Sequence, residues 1–188
     1  MKDMTQQTNV IDKQYLLTHV EERTAQNGNV FKKITLESSD GKIFAYVWPK
    51  SGMLNKLPFA IPARVRVLLN ARELNGYPHY DLISIYTLAA HDAENAARLL
   101  PLSQCPSAAR EALHSLVRFV DYLPQGPLKS FVNNVLFDTE VAQNLLTTKA
   151  SVNHHHNQVG GLLIHSVEVL KLAFETARCC GLTNAEIN

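Results

Sequence analysis

The hydrophobic pattern of the chain changes near residue 90, and this change constrains the fold more than any other feature. Before it, short runs rich in β-branched and aromatic residues are separated by pairs that favour tight hairpin turns: Asn27-Gly28, Asp40-Gly41 and Asn75-Gly76. After it, apolar residues recur at intervals of three and four, which is the period of an amphipathic helix. We therefore expect an α+β chain whose first half is all-β and whose second half is all-helical.

The first half predicts five short strands with a non-strand insert between the third and fourth. The strands are expected at 15–23, 30–37, 42–48, 63–72 and 79–86, and about one helical turn is expected at 53–57. This order of elements is typical of an OB-like barrel, with an SH3-like barrel as the nearest alternative. The predicted organisation is a flexible tail at 1–13, the barrel at 14–88 and a helical domain at 89–188.

The third strand places aromatic side chains on one of its two faces. Because side chains alternate along a strand, Ile43, Ala45 and Val47 share one face, and Phe44, Tyr46 and Trp48 share the other. OB folds bind single-stranded nucleic acid by stacking bases on aromatic rings while Lys and Arg contact phosphates. The candidate residues for such an interface, for RNA or DNA, are Phe31, Lys33, Phe44, Tyr46, Trp48, Arg64, Arg66 and Arg72. The alternative is that the aromatic stripe is core, or a seam against a neighbouring domain.

The charge and composition of the chain set broad limits on its partners and location. The formal net charge is +1, but residues 1–88 hold 11 Lys or Arg against 8 Asp or Glu, whereas the remainder holds 7 against 9. The first half is therefore the better partner for an anion. No run approaches the roughly 18 apolar residues of a membrane span, no signal peptide is evident, and three cysteines are an odd number without zinc spacing. We expect a cytoplasmic protein with reduced thiols that is not associated with a membrane, and a homo-oligomer is one candidate state.

The second half predicts several helices with recognisable starts. Asp92 is expected to cap a helix at 93–100, Ser107 to cap the next, Pro127 to begin a third, and Asp138 to cap a fourth at 139–146. Gly160-Gly161 is expected to begin a last helix that ends near Cys180 and Gly181.

Four of the eight histidines lie within twelve residues of that last helix start. His154, His155 and His156 precede it, and His165 shares a helical stripe with Leu162, Val169 and Leu172, so His165 is expected to point inward. Paired glycines at a helix start permit close approach of another backbone or of an anion, which makes Gly160 and Gly161 a candidate phosphate site.

The segment from His155 to His165 has the pattern H-H-x-x-x-G-G-L-x-x-H. It resembles the opening motif of HD-superfamily metal-dependent phosphohydrolases. Together with an OB-like first half it is similar to bacterial 3′-to-5′ exoribonucleases of the YhaM type, and the resemblance in architecture covers the whole chain. The triplet His154-His155-His156 also resembles the TraI-type domain of MOBH conjugative relaxases, an HD-related fold.

The exonuclease resemblance implies phosphodiester hydrolysis with Mn²⁺ or Mg²⁺. By that resemblance His165 is the first metal ligand, and His155 and His156 are catalytic residues that position substrate phosphate or help hold metal. The family's later His-Asp dipeptide and distal Asp do not follow His165, and His91-Asp92 precedes the motif. The capping box at Thr183–Glu186 suggests a helix cut short. We therefore expect this chain to be truncated and inactive alone; the alternatives are a relaxase-related protein and a non-catalytic OB binding module.

Overall fold

The computed structural model describes residues 9–58 and 60–181 and divides the chain into two compact units, Met1–Ala89 and Ala90–Asn188. The α+β class is confirmed, because a closed five-stranded barrel precedes a unit in which every regular element of the described residues is helical. No helix of the described residues has the length and apolar character needed to cross a bilayer.

The barrel has the strand order of an OB fold. Its strands are β1 (Asn9–Thr24), β2 (Val30–Ser38), β3 (Gly41–Val47), β4 (Ala63–Leu74) and β5 (Tyr77–Thr87). They are arranged β1-β2-β3-β5-β4, and β4 returns to pair with β1. All pairs are antiparallel except β3 with β5, which meet in parallel at Ala45 and Tyr80. This closed five-stranded arrangement confirms the predicted OB-like barrel.

Strand β1 begins earlier than the sequence predicts and closes the barrel. Its first half pairs with β4 from Asn9 onward, its second half pairs with β2, and the register shifts between Leu17 and His19. Such a bulge bends a strand, which lets one strand serve two neighbours. The prediction of a flexible tail at 1–13 is therefore wrong for residues 9–13, because these residues pair with β4. Residues 1–8 lie outside the described part.

The connections agree with the predicted turns in most places. Asn75 and Gly76 both have positive φ, 54° and 80°, as a two-residue hairpin turn requires. The helical turn expected at 53–57 lies earlier, as a 3₁₀ turn at Pro49–Ser51. Pro49 favours the start of that turn, and Gly52 ends it in the left-handed conformation at φ 67°.

The barrel core is formed by one face of each strand. Ala45 and Val47 of β3 are fully buried in it, whereas Phe44 is 39% exposed on the opposite face. The remaining buried side chains of this core are Tyr15, Leu17, Ile34, Leu36, Leu57, Val65, Val67, Leu69, Leu82 and Ile85. The aromatic face of β3 therefore lies outside the barrel core.

The described part of the second unit contains four α-helices and several 3₁₀ turns. The helices are α1 (Arg110–Tyr122), α2 (Pro127–Phe137), α3 (Thr139–Thr147) and α4 (Gly161–Cys179). The 3₁₀ turns are Ala90–Asp92, Ala96–Leu99, Leu102–Gln104 and Ser107–Ala109. Pro127 begins α2 as predicted, and the Asp138 carboxylate caps α3 by accepting from the Val141 amide.

Two predicted caps are wrong. The segment 93–100 is not a helix capped by Asp92; Asn95 instead caps the turn Ala96–Leu99 by accepting from the Ala97 amide. Ser107 lies inside a 3₁₀ turn that leads into α1, with Pro106 in the cap position. In the first place a short turn that ends in extended backbone at Leu100 replaces the predicted helix, whereas in the second the turn continues into α1 through Arg110.

Two buried asparagines hold the turns of this unit to its helices. Asn95 donates from Nδ2 to the Val117 carbonyl of α1, and Asn133 of α2 accepts from the Ala96 amide and donates to the Ala93 carbonyl. Burying these amides is tolerated because their hydrogen bonds are satisfied. Helix α4 ends at Cys179, and Gly181 follows with φ 77°, as the predicted stop requires. The capping box at Thr183–Glu186 lies outside the described residues.

Candidate functional site

Four ring side chains form a continuous surface across the outer face of β2, β3 and β5. We call them the aromatic strip: Phe31, Tyr46, Trp48 and His79. Phe31 stacks on Trp48 with ring centroids 4.8 Å apart, and Tyr46 stacks on His79 at 4.5 Å with rings nearly parallel. Tyr46 also lies 6.5 Å from Trp48, so the two stacked pairs are neighbours. The members are partly exposed, and none belongs to the barrel core.

Asp81 of β5 fixes the strip from one side. Its Oδ1 accepts a hydrogen bond of 2.8 Å from Trp48 Nε1 and lies 3.0 Å from His79 Nε2. Its Oδ2 forms an ion pair with Arg72 Nε of β4 at 2.9 Å. One carboxylate therefore orients an indole, an imidazole and a guanidinium, and hydrogen bonds of this charge-assisted kind are comparatively strong.

A cation and an exposed ring lie beside the strip. Lys33 of β2 is opposite Tyr46 in the register, and its Nζ lies 4.0 Å from the centroid of the Phe44 ring. Lys42 reaches the same ring at 5.9 Å. Phe44 thus carries two ammonium groups within cation–π distance, next to the strip on the barrel's outer face.

The four candidate arginines or lysines of the sequence do not all lie together. Lys33 is opposite Tyr46, and Arg72 is opposite His79. Arg66 is opposite Tyr86, six positions along β4 from the Arg72–His79 pair. At about 3.3 Å per residue this is on the order of 20 Å. Arg66 instead forms a bidentate pair with Asp12 of β1, whose hydrogen bonds hold the pKa of the Asp12 carboxyl below its ordinary value.

Arg64 lies two residues further from the strip than Arg66. It is opposite Leu16 of β1, and its carbonyl accepts from the Leu88 amide beyond the end of β5. Sequence reasoning grouped these arginines because all three lie on one predicted strand. The strand's length separates them, and only its far end meets the strip.

Sequence reasoning missed His79 and Asp81. The signal was present, because His79 and Asp81 are two residues apart on a predicted strand and therefore share a face. The position of that face was not predictable from local pattern, since β5 reaches β3 through a parallel contact between strands distant in sequence.

In the second unit, the loop before α4 is folded against the helix start. The Leu162 amide donates to the Thr148 carbonyl, and the Ala150 amide donates to the His156 carbonyl at 3.0 Å. His156 adopts a left-handed conformation with φ 63°, which is uncommon for a residue with a side chain. A Cβ on Gly161 would lie 2.0 Å from the His156 carbonyl oxygen.

The two glycines therefore serve close approach of the chain's own backbone. Gly161 admits the His156 carbonyl, and a Cβ on Gly160 would meet Ala109 Cβ at 2.9 Å while φ is 80°. Both glycines are buried. Their role as a phosphate site stays a prediction, but the space that their missing side chains leave is filled by protein.

Three side chains with metal-ligating atoms converge beside this loop. His156 Nε2 lies 2.9 Å from Glu168 Oε2, the rings of His156 and His165 are 5.6 Å apart, and one ligand atom of each residue lies within 4.8 Å of the others. His154 and His155 are exposed and stand outside this group. Glu168 was not predicted, although it follows His165 by three residues and so shares its helix face.

The inward orientation predicted for His165 is wrong. Gly161, Leu163 and Val167 are the buried residues of α4, whereas His165 is exposed and Val169 and Leu172 are 51% and 66% exposed. The helix has apolar residues on both stripes, and packing selects the one that contains Leu163 and Val167.

No protein-family model matches the chain, and no curated protein matches it. Among solved structures it is similar to the mitochondrial single-stranded DNA-binding protein Rim1 of S. cerevisiae, at 17% identity over 43% of this chain and 94% of that one, with a TM-score of 0.37. It is also similar to the second OB-fold domain of replication protein A from Methanococcus maripaludis, at 13% identity over 43% and 83%, with a TM-score of 0.31. A third similar structure is yeast Stn1 and Ten1, at 8% identity over 66% and 60%, with a TM-score of 0.34. The assignment of the barrel to the OB fold rests on its own strand order and register.

Proposed function

We propose that this chain binds single-stranded nucleic acid on the aromatic strip of its OB barrel. The observation that carries the proposal is the series of partly exposed, mutually stacked rings on the outer face of β2, β3 and β5. A contiguous patch of apolar rings outside the hydrophobic core is typical of a surface that contacts another molecule. Base faces are the natural partner, since every nucleobase presents a flat π surface.

The rigidity of the strip supports binding over incidental exposure. Asp81 holds both Trp48 and His79 by contacts of 2.8 and 3.0 Å. Rings that are already oriented lose little conformational entropy when a base stacks on them, so more of the stacking energy appears as affinity.

The cations beside the strip suit a phosphate backbone. Lys33 and Lys42 lie over Phe44, and the barrel half of the sequence carries the excess of positive charge. Because stacking needs unpaired bases, a single strand satisfies both the rings and the cations, whereas a duplex presents only its backbone.

The test is to replace Tyr46, which lies at the centre of the strip. Tyr46→Ala is expected to raise the Kd for a labelled single-stranded oligonucleotide about 5- to 150-fold, because one stacked base is worth about 1–3 kcal/mol. The measurement is fluorescence anisotropy at fixed salt, with circular dichroism to verify folding.

Tyr86→Ala is the matched control for this substitution. Tyr86 is also an outer-face tyrosine of the barrel, 66% exposed, but it lies at the Arg66 end of β5. It should bind like the wild type. An equal effect of both substitutions, or no binding by the wild type, contradicts the proposal.

A second candidate function is metal-dependent phosphodiester hydrolysis by the helical unit, as the HD resemblance implies. The observation that favours it is the approach of His156 to His165, with ring centroids 5.6 Å apart. His91-Asp92 is the one His-Asp dipeptide of the sequence, and it lies ahead of the motif. Of the metal ligands that the HD resemblance implies, the sequence therefore contains His165 in the expected order. Binding without hydrolysis remains the primary proposal. A relaxase-like role in DNA processing is a further alternative that rests on the same motif.

An assay with Mn²⁺ separates the two functions. A binding module leaves an end-labelled single strand intact after long incubation. Cleavage that is lost in His165→Ala and retained in His154→Ala is the result expected of the hydrolase, with shortening from the 3′ end favouring the exonuclease resemblance.

A further inference from the structure

We propose that His156, His165 and Glu168 form a binding site for a late first-row divalent metal ion, with Zn²⁺ as the best match. The site lies in the helical unit and does not rest on the nucleic-acid proposal. It also differs from the ligand set that the HD resemblance implies, because Glu168 belongs to neither that motif nor the predicted site, whereas His156 and His165 belong to both.

The positions of the ligand atoms are close to those that a metal requires. They lie within 4.8 Å of one another, and a tetrahedral ion with bonds of about 2.0–2.1 Å sets its ligands about 3.3 Å apart. His156 Nε2 and Glu168 Oε2, at 2.9 Å, need to separate slightly. His165 and Glu168 are exposed on α4 and can close the remaining distance by small side-chain rotations.

His156 is held in place by the backbone before any ion binds. Its carbonyl accepts from the Ala150 amide at 3.0 Å and fits into the space that Gly161 leaves, and its side chain is only 19% exposed. One fixed ligand and two adjustable ones reduce the entropy that is lost on coordination. Bound metal would join the 148–160 loop to α4 at the first turns of the helix.

The chemistry of the donors selects the class of ion. Two imidazoles and one carboxylate suit Zn²⁺ and its neighbours Co²⁺ and Ni²⁺, whereas Mg²⁺ prefers an all-oxygen shell. Three protein ligands leave at least one coordination position for water, as in open zinc sites.

The test must exclude competing thiols. Cys179 and Cys180 are exposed at the end of α4, about 21 Å along the helix from His165 at 1.5 Å per residue. Zn²⁺ titrations by calorimetry are therefore made on untagged full chain carrying Cys179→Ser and Cys180→Ser. Co²⁺ absorption in the same background reports a four-coordinate site by its visible bands.

In that background we expect one Zn²⁺ per chain. His165→Ala and Glu168→Gln, both at exposed positions, are each expected to weaken Zn²⁺ binding at least about tenfold, the lower bound for changes even outside the first coordination sphere. His154→Ala and Glu175→Gln, a neighbouring exposed histidine and another α4 acid, should bind normally. A fixed Zn²⁺ concentration should also raise the Tm of the parent by more than that of Glu168→Gln.

Absence of Zn²⁺ binding in the parent overturns the proposal. The proposal is also overturned if His165→Ala and Glu168→Gln bind Zn²⁺ as tightly as His154→Ala and Glu175→Gln do, with all variants folded by circular dichroism.

Discussion

At the scale of single residues, Asp81 is the least expected member of the candidate nucleic-acid surface, because a carboxylate repels phosphate. Its contacts explain its presence. Oδ1 accepts from Trp48 Nε1 and lies 3.0 Å from His79 Nε2, and Oδ2 forms an ion pair with Arg72 Nε. Asp81 is therefore a positioning residue: it fixes the orientations of the Trp48 and His79 rings, although its charge repels phosphate.

Asp81→Ala separates these two effects by the sign of its result. Removing a negative charge and freeing Arg72 should tighten binding to a polyanion if charge alone matters. If Asp81 positions Trp48 and His79, the substitution should weaken binding, by roughly 3- to 10-fold, about the worth of one or two net hydrogen bonds. Oligonucleotide affinity at a single salt concentration decides between them.

Asp12→Ala provides the control for this experiment. Asp12 is also an acid paired with a β4 arginine, but it faces Arg66 at the other end of the barrel. It should leave affinity unchanged or raise it slightly. Tighter binding by Asp81→Ala than by Asp12→Ala refutes the positioning role.

At the scale of elements, the start of α4 depends on contacts that a helix alone does not supply. The backbone of the 148–160 loop passes so close to Gly161 that a Cβ there would lie 2.0 Å from the His156 carbonyl oxygen. Backbone, unlike the end of a flexible side chain, moves only with its neighbours.

Gly161→Ala is expected to lower the free energy of unfolding by about 1–3 kcal/mol, the usual cost of forcing extra atoms into a packed site. Urea unfolding followed by circular dichroism measures it. Gly126→Ala is the comparison, because Gly126 has extended backbone and an added Cβ there meets nothing within 4 Å. The comparison variant should change stability by less than about 0.5 kcal/mol. Equal losses in both would show that the close approach at Gly161 is unimportant.

The sequence predicted elements well where local chemistry decides them. Asn75 and Gly76 both tolerate positive φ, so this pair favours a two-residue hairpin turn. Pro127 suits the first turn of a helix, and the Asp138 carboxylate caps one, so both residues mark helix starts. Strict alternation predicted that Phe44, Tyr46 and Trp48 share the face opposite Ala45 and Val47, but it did not decide which of the two faces lines the core.

Prediction failed where partners distant in sequence decide the structure. Residues 9–13 hold only two apolar side chains, Val10 and Ile11, and they form a strand where β4 pairs with them. The orientation of α4 depends on which of two apolar stripes its neighbours cover, so His165 was placed inward although it is exposed. Asp81 contacts Trp48, and Glu168 contacts His156, and both partners lie on other segments of the chain. Local sequence pattern does not predict such contacts.

At the scale of the whole chain, each compact unit carries one candidate site. The barrel half holds the excess of Lys and Arg and the aromatic strip, and the helical half holds the cluster of His156, His165 and Glu168. Barrel closure creates the first site, because β5 must lie beside β3 for His79 to stack on Tyr46. This surface is expected to stack on unpaired bases.

Trp48 reports directly on the stacking of bases, since it is the one tryptophan of the 188 residues and a member of the aromatic strip. Its intrinsic fluorescence is to be followed while a short single-stranded oligonucleotide, and then a duplex of the same length, is titrated into the full chain. We predict saturable quenching by the single strand that persists in moderate salt, and little or none by the duplex. Unchanged Trp48 fluorescence with the single strand, or equal quenching by the duplex, would show that the aromatic strip does not bind unpaired bases.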